Sequence, residues 1–247
     1  MTKEVTIYGY NSVESAIKNN PNSVVELYVD QFSSNKRVLQ LLDLKIISKL
    51  KIQKVDKNFL SNLVSNEKHQ GIAARIIINE FFDIKSSINY LEKNKRSLVL
   101  ILDDLDDPRN IGACLRNANA TDVDMVVLSK NRVNIESPVI GKVSSGALQQ
   151  TNIAVVSNIS QFIERIKEIG FWVYGTSDQA ETTYWETDFS QPCAIIIGSE
   201  GKGLRKLTKS KCDKILSIPM SGIVGSLNVS VACGLMLYEV LRQRDSN

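Results

Sequence analysis

Residues 193–204 read Cys193-Ala-Ile-Ile-Ile-Gly-Ser-Glu-Gly-Lys-Gly-Leu204, an apolar run that enters a glycine-rich turn. The pattern nearly repeats in Ile218-Pro-Met-Ser-Gly-Ile-Val-Gly-Ser-Leu-Asn-Val-Ser-Val-Ala232, which should lead into a final helix. Glycine allows the backbone to approach a ligand closely, because it has no side chain to hold the ligand away. Two such turns near each other indicate a cofactor site.

The composition is that of an ordinary globular protein. The chain has 247 residues, of which 43% are hydrophobic and 23% are charged, so it could form one large domain or two small ones. No apolar run approaches the roughly 20 residues that span a bilayer, and the N-terminus has no signal-peptide pattern. The four cysteines form no C-x-x-C pair, which favours free thiols in a reducing cytoplasm. We therefore expect a cytoplasmic protein without a membrane segment or a metal site.

The charge is unevenly distributed along the chain. Residues 1–78 hold eleven Lys and Arg against seven Asp and Glu, whereas residues 97–247 hold fifteen against seventeen. A basic N-terminal part fits contact with nucleic acid, although a solvated lysine-rich surface explains the same counts. We predict a domain at 1–78 that could contact nucleic acid, a linker at 79–96 and a cofactor-binding domain at 97–247.

The first 78 residues predict a small α/β unit. Asn11 or Ser12 is expected to cap a helix whose apolar side carries Val13, Ala16 and Ile17. Further elements are expected as strands at Val24–Val29, Ile52–Val55 and Ile72–Ile78, and as helices at Lys36–Leu44 and Asn58–Ser65. His69, the only histidine, precedes the last strand, and a lone histidine in a loop is more often structural than catalytic.

The second part opens with Leu98-Val-Leu-Ile-Leu102, an apolar run typical of a strand buried on both faces of a parallel sheet. Strands and helices then alternate, which predicts a parallel α/β sheet with right-handed crossovers. The expected strands are Met125–Leu128, Asn152–Val156, Trp172–Thr176, Ala194–Ile197 and Lys214–Ile218, and the expected helices are Ile111–Ala120, Ile140–Leu148, Ile159–Ile169 and a final helix.

Polar residues follow the first of these strands, at the sheet edge where open α/β folds bind ligands. Four aspartates within residues 103–107 suggest a divalent metal, but the EF-hand spacing is missing. Asn110 and Arg116 lie on different faces of the following helix. They could serve one site, or they could be a helix cap and a surface arginine.

The glycine turns match no common nucleotide motif. Gly198-Ser-Glu-Gly-Lys-Gly203 is neither a P-loop nor a dinucleotide fingerprint, and a single histidine without G-x-S-x-G argues against a serine hydrolase. Glu200 is an acidic side chain in a turn suited to close backbone contact. Ser226 or Asn228 is expected to cap the last helix, whose N-terminus would attract an anion.

Taken together, three stretches resemble the SpoU (TrmH-type) family of RNA ribose 2′-O-methyltransferases. They are Asn110-x-Gly112-x-x-x-Arg116, then Ile197-Gly-Ser-Glu-Gly-x-Gly203-Leu, then Ile218-Pro-Met with Ser226-Leu-Asn-Val-Ser-Val-Ala232. The start Tyr8-Gly-Tyr-Asn-Ser-Val and the loop His69-Gln-Gly-Ile-Ala-Ala74 look like the N-terminal domain of the 23S rRNA guanosine-2′-O-methyltransferase group within that family.

This resemblance implies S-adenosylmethionine as methyl donor, rRNA as partner and a homodimer formed through the C-terminal domain. It also implies a deep trefoil knot in that domain and an N-terminal domain that resembles a ribosomal protein. The residues carried over as cofactor-binding are Gly198, Ile218, Met220, Leu227 and Thr176. The residues carried over as catalytic are Arg116, Asn110, Glu200, Ser226 and Asn228.

The implied reaction is attack of a ribose 2′-oxygen on a sulfonium methyl group, which needs alignment and loss of a proton. Arginine is a poor base, so we expect Arg116 to bind the adjacent phosphate and hold the hydroxyl in line. Glu200 or an RNA phosphate would accept the proton, while Ser226 and Asn228 would hold the cofactor tail or the ribose. A tRNA guanosine methyltransferase and a non-catalytic RNA-binding factor are the alternatives.

Overall fold

The computed structural model describes residues 3–66, 68–78, 80–94, 97–130 and 134–245. Among the described helices, none combines the length and the apolar character that crossing a lipid bilayer requires.

Strands and helices alternate along most of the chain. The strands are β1 (Lys3–Tyr8), β2 (Val24–Asp30), β3 (Ile52–Val55), β4 (Ile72–Ile78), β5 (Leu98–Asp103), β6 (Met125–Ser129), β7 (Ile153–Val156), β8 (Trp172–Thr176), β9 (Thr182–Thr183), β10 (Cys193–Gly198) and β11 (Lys214–Ser217). The helices are α1 (Tyr10–Asn19), α2 (Lys36–Leu42), α3 (Lys57–Val64), α4 (Ile84–Leu91), α5 (Pro108–Ala120), α6 (Pro138–Val143), α7 (Ala147–Gln150), α8 (Ile159–Glu168), α9 (Lys206–Lys211) and α10 (Val229–Asp245).

The chain divides into two compact units, and each unit contains two separate segments of the sequence. Residues 1–80 form the first unit together with 134–150, and residues 81–133 form the second together with 151–247. Part of the expected linker at 79–96 is therefore structured within the second unit, where it carries α4. Phe82 joins this unit through backbone hydrogen bonds with Ile153 and Val155.

The first unit is built on a four-stranded mixed sheet in the order β1-β4-β2-β3. Strand β4 is antiparallel to both of its neighbours, and β2 and β3 are parallel. The predicted helix cap in this unit is wrong. Asn11 and Ser12 lie inside α1, and Gly9, at φ +83°, takes the capping position without a side-chain hydrogen bond. The predicted apolar side is confirmed, since Val13, Ala16 and Ile17 are fully buried.

Residues 134–150 depart from the prediction of one helix over Ile140–Leu148. Two short helices, α6 and α7, are separated by Ser145 and Gly146, which both adopt positive φ angles (53° and 96°) that end a helix. Helix α6 packs on β1, where a Cβ on Gly141 would lie only 2.6 Å from Ile7 Cγ2. This close packing places the segment in the first unit, whereas its position in the sequence suggested the second.

A buried carboxylate joins three strands of the first unit. Glu26 on β2 is 2% exposed and accepts hydrogen bonds from the Tyr28 hydroxyl (2.7 Å), Gln53 Nε2 (2.7 Å) and Arg75 Nη2 (2.8 Å). Lys51 Nζ lies 2.6 Å from the same carboxylate. The Lys51 hydrogen bond is the largest of the causes that lower the Glu26 pKa to about 2.

His69 is structural, as its isolation in the sequence suggested. The ring is 2% exposed, its Nδ1 accepts the Gly71 N–H (3.1 Å), and its Nε2 lies 3.3 Å from the Ser61 hydroxyl. Burial lowers the pKa of this imidazole below its usual value. The neutral ring therefore braces the loop before β4.

The second unit confirms the predicted parallel α/β architecture. Its seven strands run in the order β7-β6-β5-β10-β8-β11-β9, and every pair is parallel. The central strands β5 and β10 are buried along their whole length, because helices cover the sheet. The short strand β9 and helix α9 were not predicted, since both are too short and too polar to show a periodic apolar pattern.

Candidate active site

A cavity of about 490 Å³ lies at the carboxyl ends of β8, β10 and β11 in the second unit. This is the sheet edge at which parallel α/β folds bind ligands, and the volume is within the range of small-molecule sites. Three chain segments line it, with the residues Thr176, Ser177, Asp178, Gln179, Ile197, Gly198, Ser199, Glu200, Gly201, Lys202, Gly203, Leu204, Lys209, Leu216, Ile218, Met220, Gly225, Ser226, Leu227, Val229 and Ala232.

The first wall is the glycine turn that follows β10. Ser199 and Gly203 close it with two backbone hydrogen bonds, of 3.2 Å and 2.9 Å. Gly203 has φ +63°, a conformation that side chains disfavour. Gly198 is required for a different reason, because a Cβ there would lie 2.3 Å from the carbonyl carbon of Gly203. The turn therefore folds back onto the end of its own strand.

An ion pair between a buried carboxylate and an exposed arginine anchors the end of this turn. Asp103, the last residue of β5, is 0% exposed and is the register partner of Gly198 on β10. Its carboxylate accepts the backbone N–H of Arg205 at 3.0 Å and the Arg205 Nε at 2.8 Å. The pair ties the loop after β10 to the loop after β5. The loop after β10 carries Glu200, and the loop after β5 leads into α5, which carries Asn110 and Arg116.

The second wall is the segment between β11 and α10. Asn228 caps α10, since its Oδ1 accepts the Ser230 backbone N–H at 3.0 Å and the Ser230 hydroxyl at 2.6 Å. Its Nδ2 donates to Oδ1 of Asn110 on α5 at 3.1 Å. A second link joins the same helices, because Asn117 Nδ2 donates to the Ser230 carbonyl at 2.7 Å. Helices α5 and α10 thus form one supported rim.

The structure places all five residues expected to bind the cofactor around this cavity. Gly198, Ile218, Met220, Leu227 and Thr176 all line it. Thr176 is held in place by its hydroxyl, which donates to the Ile196 carbonyl at 3.1 Å.

The five residues expected to be catalytic are not all brought together. Glu200 and Ser226 line the cavity, while Asn110 and Asn228 are paired beside it. Arg116 is exposed on α5 and is not among the lining residues. Within the described part of the chain, its guanidinium makes no hydrogen bond or ion pair. Arg116 is therefore available to an external anion.

Sequence reasoning missed the Asp103–Arg205 pair. The aspartate run was considered as a possible metal loop, but Asp103 is used by Arg205 and the Asp107 side chain caps α5 by accepting the Arg109 N–H at 2.9 Å. In the ranges that the structure describes, no three His, Cys, Asp or Glu side chains group closely enough to hold a metal ion. The register of β5 against β10 would have been needed to find the pair.

The described residues that line the cavity include two carboxylates, Asp178 and Glu200, and two lysines. Glu200 is an exposed carboxylate on its wall, and Lys202 and Lys209 are the lining cations. Such a site can hold a small polar ligand through backbone groups and align it for transfer.

Comparison with known proteins gives concordant matches over both parts of the chain. The sequence model of the SpoU rRNA Methylase family matches residues 97–238, and the model described as RNA 2′-O ribose methyltransferase substrate binding matches residues 6–82. The chain is 42% identical to the 23S rRNA (guanosine-2′-O-)-methyltransferase RlmB of Coxiella burnetii, over 100% of this chain and 98% of that protein.

Solved structures share the fold. The SpoU methyltransferase AviRb from Streptomyces viridochromogenes, in complex with the cofactor AdoMet, superposes with a TM-score of 0.80 at 24% identity, over 99% of this chain and 91% of that one. A crystal structure described as an RNA 2′-O ribose methyltransferase gives a TM-score of 0.78 at 27% identity, over 98% and 89%. With its cavity and glycine turns, and with matches that cover both parts of its sequence, the chain belongs to the SpoU rRNA methylase family.

Proposed function

We propose that this protein transfers a methyl group from S-adenosylmethionine to the ribose 2′-hydroxyl of a guanosine in 23S rRNA. The observation that carries the proposal is the cavity formed by the two glycine turns, around which all five expected cofactor residues lie. Membership of the SpoU family supports the reaction. The full-length similarity to RlmB of Coxiella burnetii, which acts on 23S rRNA guanosine, supports the substrate.

S-adenosylmethionine, when bound, would supply an electrophilic methyl group. Backbone groups of the Gly198–Gly203 turn and of Ile218, Met220 and Leu227 would hold it, with Thr176 at the end of β8. Gly198 suits such a role, because its lack of a Cβ permits the turn to fold tightly against the cavity. No metal is needed for this transfer.

Arg116 would position the RNA. Its exposed guanidinium is a strong donor to phosphate oxygens. Because the guanidinium stays protonated, it cannot accept a proton and is not a base. Binding the phosphate next to the target ribose would hold the 2′-hydroxyl in line with the methyl group. Glu200 on the cavity wall, or an RNA phosphate, would accept the proton. Ser226 and Asn228, supported by Asn110, would hold the ribose or the cofactor tail.

The family also motivates a proposal about assembly. Helix α10 is apolar on both sides, because Cys233, Met236 and Val240 are buried whereas Val231, Leu235 and Tyr238 are 50%, 38% and 52% exposed. The exposed three recur at helical spacing and form one stripe. We expect a homodimer through this stripe of the C-terminal domain. Sedimentation velocity of Leu235→Glu should then give a monomer, and a wild-type monomer at micromolar concentration would contradict the dimer.

The knot and the division of labour between domains belong to the same proposal. Residues 97–247 would form the knotted catalytic domain and residues 1–78 an RNA substrate-binding domain resembling a ribosomal protein. Residues 79–96, which include α4, would connect them. The placement of β10 between β5 and β8 supports the knot, since the chain returns to the middle of the sheet after completing its edge. An experimental backbone trace in which the ends can be pulled straight would refute it.

The proposed reaction is tested by methyl transfer from tritiated S-adenosylmethionine. Under-methylated large-subunit rRNA and total tRNA serve as substrates, and the labelled nucleotide is mapped. We expect label in rRNA at a guanosine ribose and none in tRNA. Label in tRNA alone would identify a tRNA methyltransferase, and label in neither RNA would favour a non-catalytic RNA-binding factor.

A further inference from the structure

Three loops of the first unit meet at one end of its sheet. Strands β1 and β2 end there at Tyr8 and Asp30, and β4 begins there at Ile72, because β4 runs antiparallel to both. The exposed residues that these loops present are named here the loop-end surface, and they are Asn11, Phe32, Arg37, Lys68 and Gln70.

Hydrogen bonds make this surface one ordered patch. Gln70 Oε1 accepts the Tyr10 backbone N–H at 2.8 Å, which joins the loops after β1 and before β4. The Gln70 carbonyl accepts Nδ2 of Asn35 at 3.4 Å, which brings in the loop after β2. The Lys68 carbonyl accepts Nζ of Lys142 on α6 at 2.7 Å. Residues from four separate segments therefore support the patch.

Among the aromatic side chains in the described part of the chain, Phe32 is the most exposed, at 82%. Its position comes from an ordered turn, in which Asp30 Oδ1 accepts the Phe32 N–H and the Asp30 carbonyl accepts the Ser33 N–H, both at 3.0 Å. Ser33 packs against Gly71, where an added Cβ would lie 2.8 Å from the Ser33 hydroxyl. An apolar ring is thus held in solvent on a fixed support, which suits a partner with a flat face.

The loop-end surface also carries two exposed cations, Arg37 and Lys68, whereas the Asp30 carboxylate is engaged by the Phe32 backbone N–H. The Arg37 guanidinium carbon lies 4.1 Å from the centre of the Tyr10 ring, and its Nη2 donates to Asn11 Oδ1 at 3.4 Å. This stacking presents the remaining N–H groups of the guanidinium outward. The carboxylate of Glu14 is already engaged, since it accepts the Tyr10 hydroxyl at 2.7 Å and Lys18 Nζ at 2.8 Å.

We propose that the loop-end surface binds an unpaired nucleotide of the RNA substrate, with its base on Phe32 and its flanking phosphates on Arg37 and Lys68. The proposal rests on the function proposed above and assigns it a recognition surface in the first unit. An exposed aromatic ring on a surface that also carries cations matches single-stranded RNA, whose bases stack on aromatic side chains. Double-stranded RNA does not fit, because its bases are stacked inside the helix.

The test compares two RNA ligands on the full-length protein. One is a stem-loop from large-subunit rRNA, and the other is a fully paired duplex of the same length, both followed by fluorescence anisotropy. Phe32→Ala should weaken stem-loop binding by about tenfold, the effect of one lost base-stacking contact, and leave duplex binding within about twofold. Phe32→Trp should restore stem-loop binding.

Arg37→Ala provides an independent readout of the phosphate contact. It should weaken stem-loop binding and reduce the slope of log affinity against log salt by about 0.7, as expected for one lost phosphate contact on a single strand. Lys45→Ala is the matched cation control, because Lys45 is exposed in the same unit but outside the loop-end surface. Trp185→Ala is the aromatic control, since this ring is 53% exposed in the second unit. Both controls should bind as wild type.

Unchanged stem-loop binding by Phe32→Ala, or equal loss on stem-loop and duplex, would overturn the proposal and leave a protein partner as the occupant of this surface. Methyl transfer separates this failure from that of the proposed function. If the wild type methylates rRNA and Phe32→Ala has the same KM for it, only the surface is wrong. If the wild type methylates no RNA while Phe32→Ala loses stem-loop binding, only the methyltransferase function is wrong.

Discussion

Substitution of Gly198 by alanine should disable the cavity through a single methyl group. A Cβ at this position would lie 2.3 Å from the Gly203 carbonyl carbon, 2.5 Å from its oxygen and 2.5 Å from the Leu204 nitrogen. All three are backbone atoms, so no side chain can rotate away to make room. The turn itself must move by more than about 1 Å to restore the roughly 3.5 Å spacing at which atoms attract.

That movement has two consequences of predictable size. The paired hydrogen bonds between Ser199 and Gly203 are strained or lost, and overpacking of this kind costs about 1–3 kcal/mol of the free energy of unfolding. A displacement of about 1 Å in an element that positions reactants can lower the reaction rate about a hundredfold, and we expect a loss of similar size in cofactor binding. We therefore expect the Gly198→Ala protein to fold, with lowered thermal stability and cofactor affinity reduced by about two orders of magnitude.

Isothermal titration calorimetry with S-adenosylhomocysteine measures this affinity without requiring RNA. Gly222→Ala is the matched control, because an added Cβ there meets nothing within 4 Å and Gly222 lies in the second glycine-rich segment. The control should bind within about twofold of wild type, since an unopposed methyl group leaves the backbone in place. Wild-type affinity in Gly198→Ala would show that the turn does not set the geometry of the pocket.

Three further substitutions test interactions that stabilise the fold within each unit. Arg205→Ala should lower the free energy of unfolding, measured by urea titration, by on the order of 2 kcal/mol, because the buried Asp103 carboxylate loses a partner. Arg165→Ala, which removes an exposed ion pair, is the control and should cost under about 0.5 kcal/mol. Glu26, with its pKa lowered to about 2, stabilises the fold above about pH 4.3, and this contribution should fade as pH falls toward 2. Glu26→Gln should remove that part of the pH dependence of the urea midpoint. His69 has a lowered pKa, so the stability that it contributes to the fold is fully present above about pH 6.5 and is lost as the pH falls below that value. If the melting temperature of His69→Gln showed the same pH dependence as that of wild type, this prediction would be wrong.

Part of the candidate site could be predicted from the sequence pattern alone. The two glycine turns could be expected at one ligand site because two apolar runs each ended in glycines, and parallel strands bring such ends to one edge. The assignment of Gly198 and Leu227 to the cofactor came from the family resemblance. Asp103 and Arg205 could not be paired, because their contact depends on β10 lying beside β5, and these strands are far apart in sequence. Arg116 matched a family motif, yet its exposure away from the lining residues became visible only in the folded chain.

The sequence by itself determined the layered α/β class, most strand positions in both units and the presence of two glycine turns. Apolar runs and glycines are local properties, and local sterics and burial decide them. Only the tertiary structure decided that residues 134–150 pack with the first unit and that Gly9 rather than Asn11 caps α1. Those outcomes depend on contacts between residues that are far apart in sequence, such as Gly141 and Ile7, and a local sequence pattern does not predict such contacts.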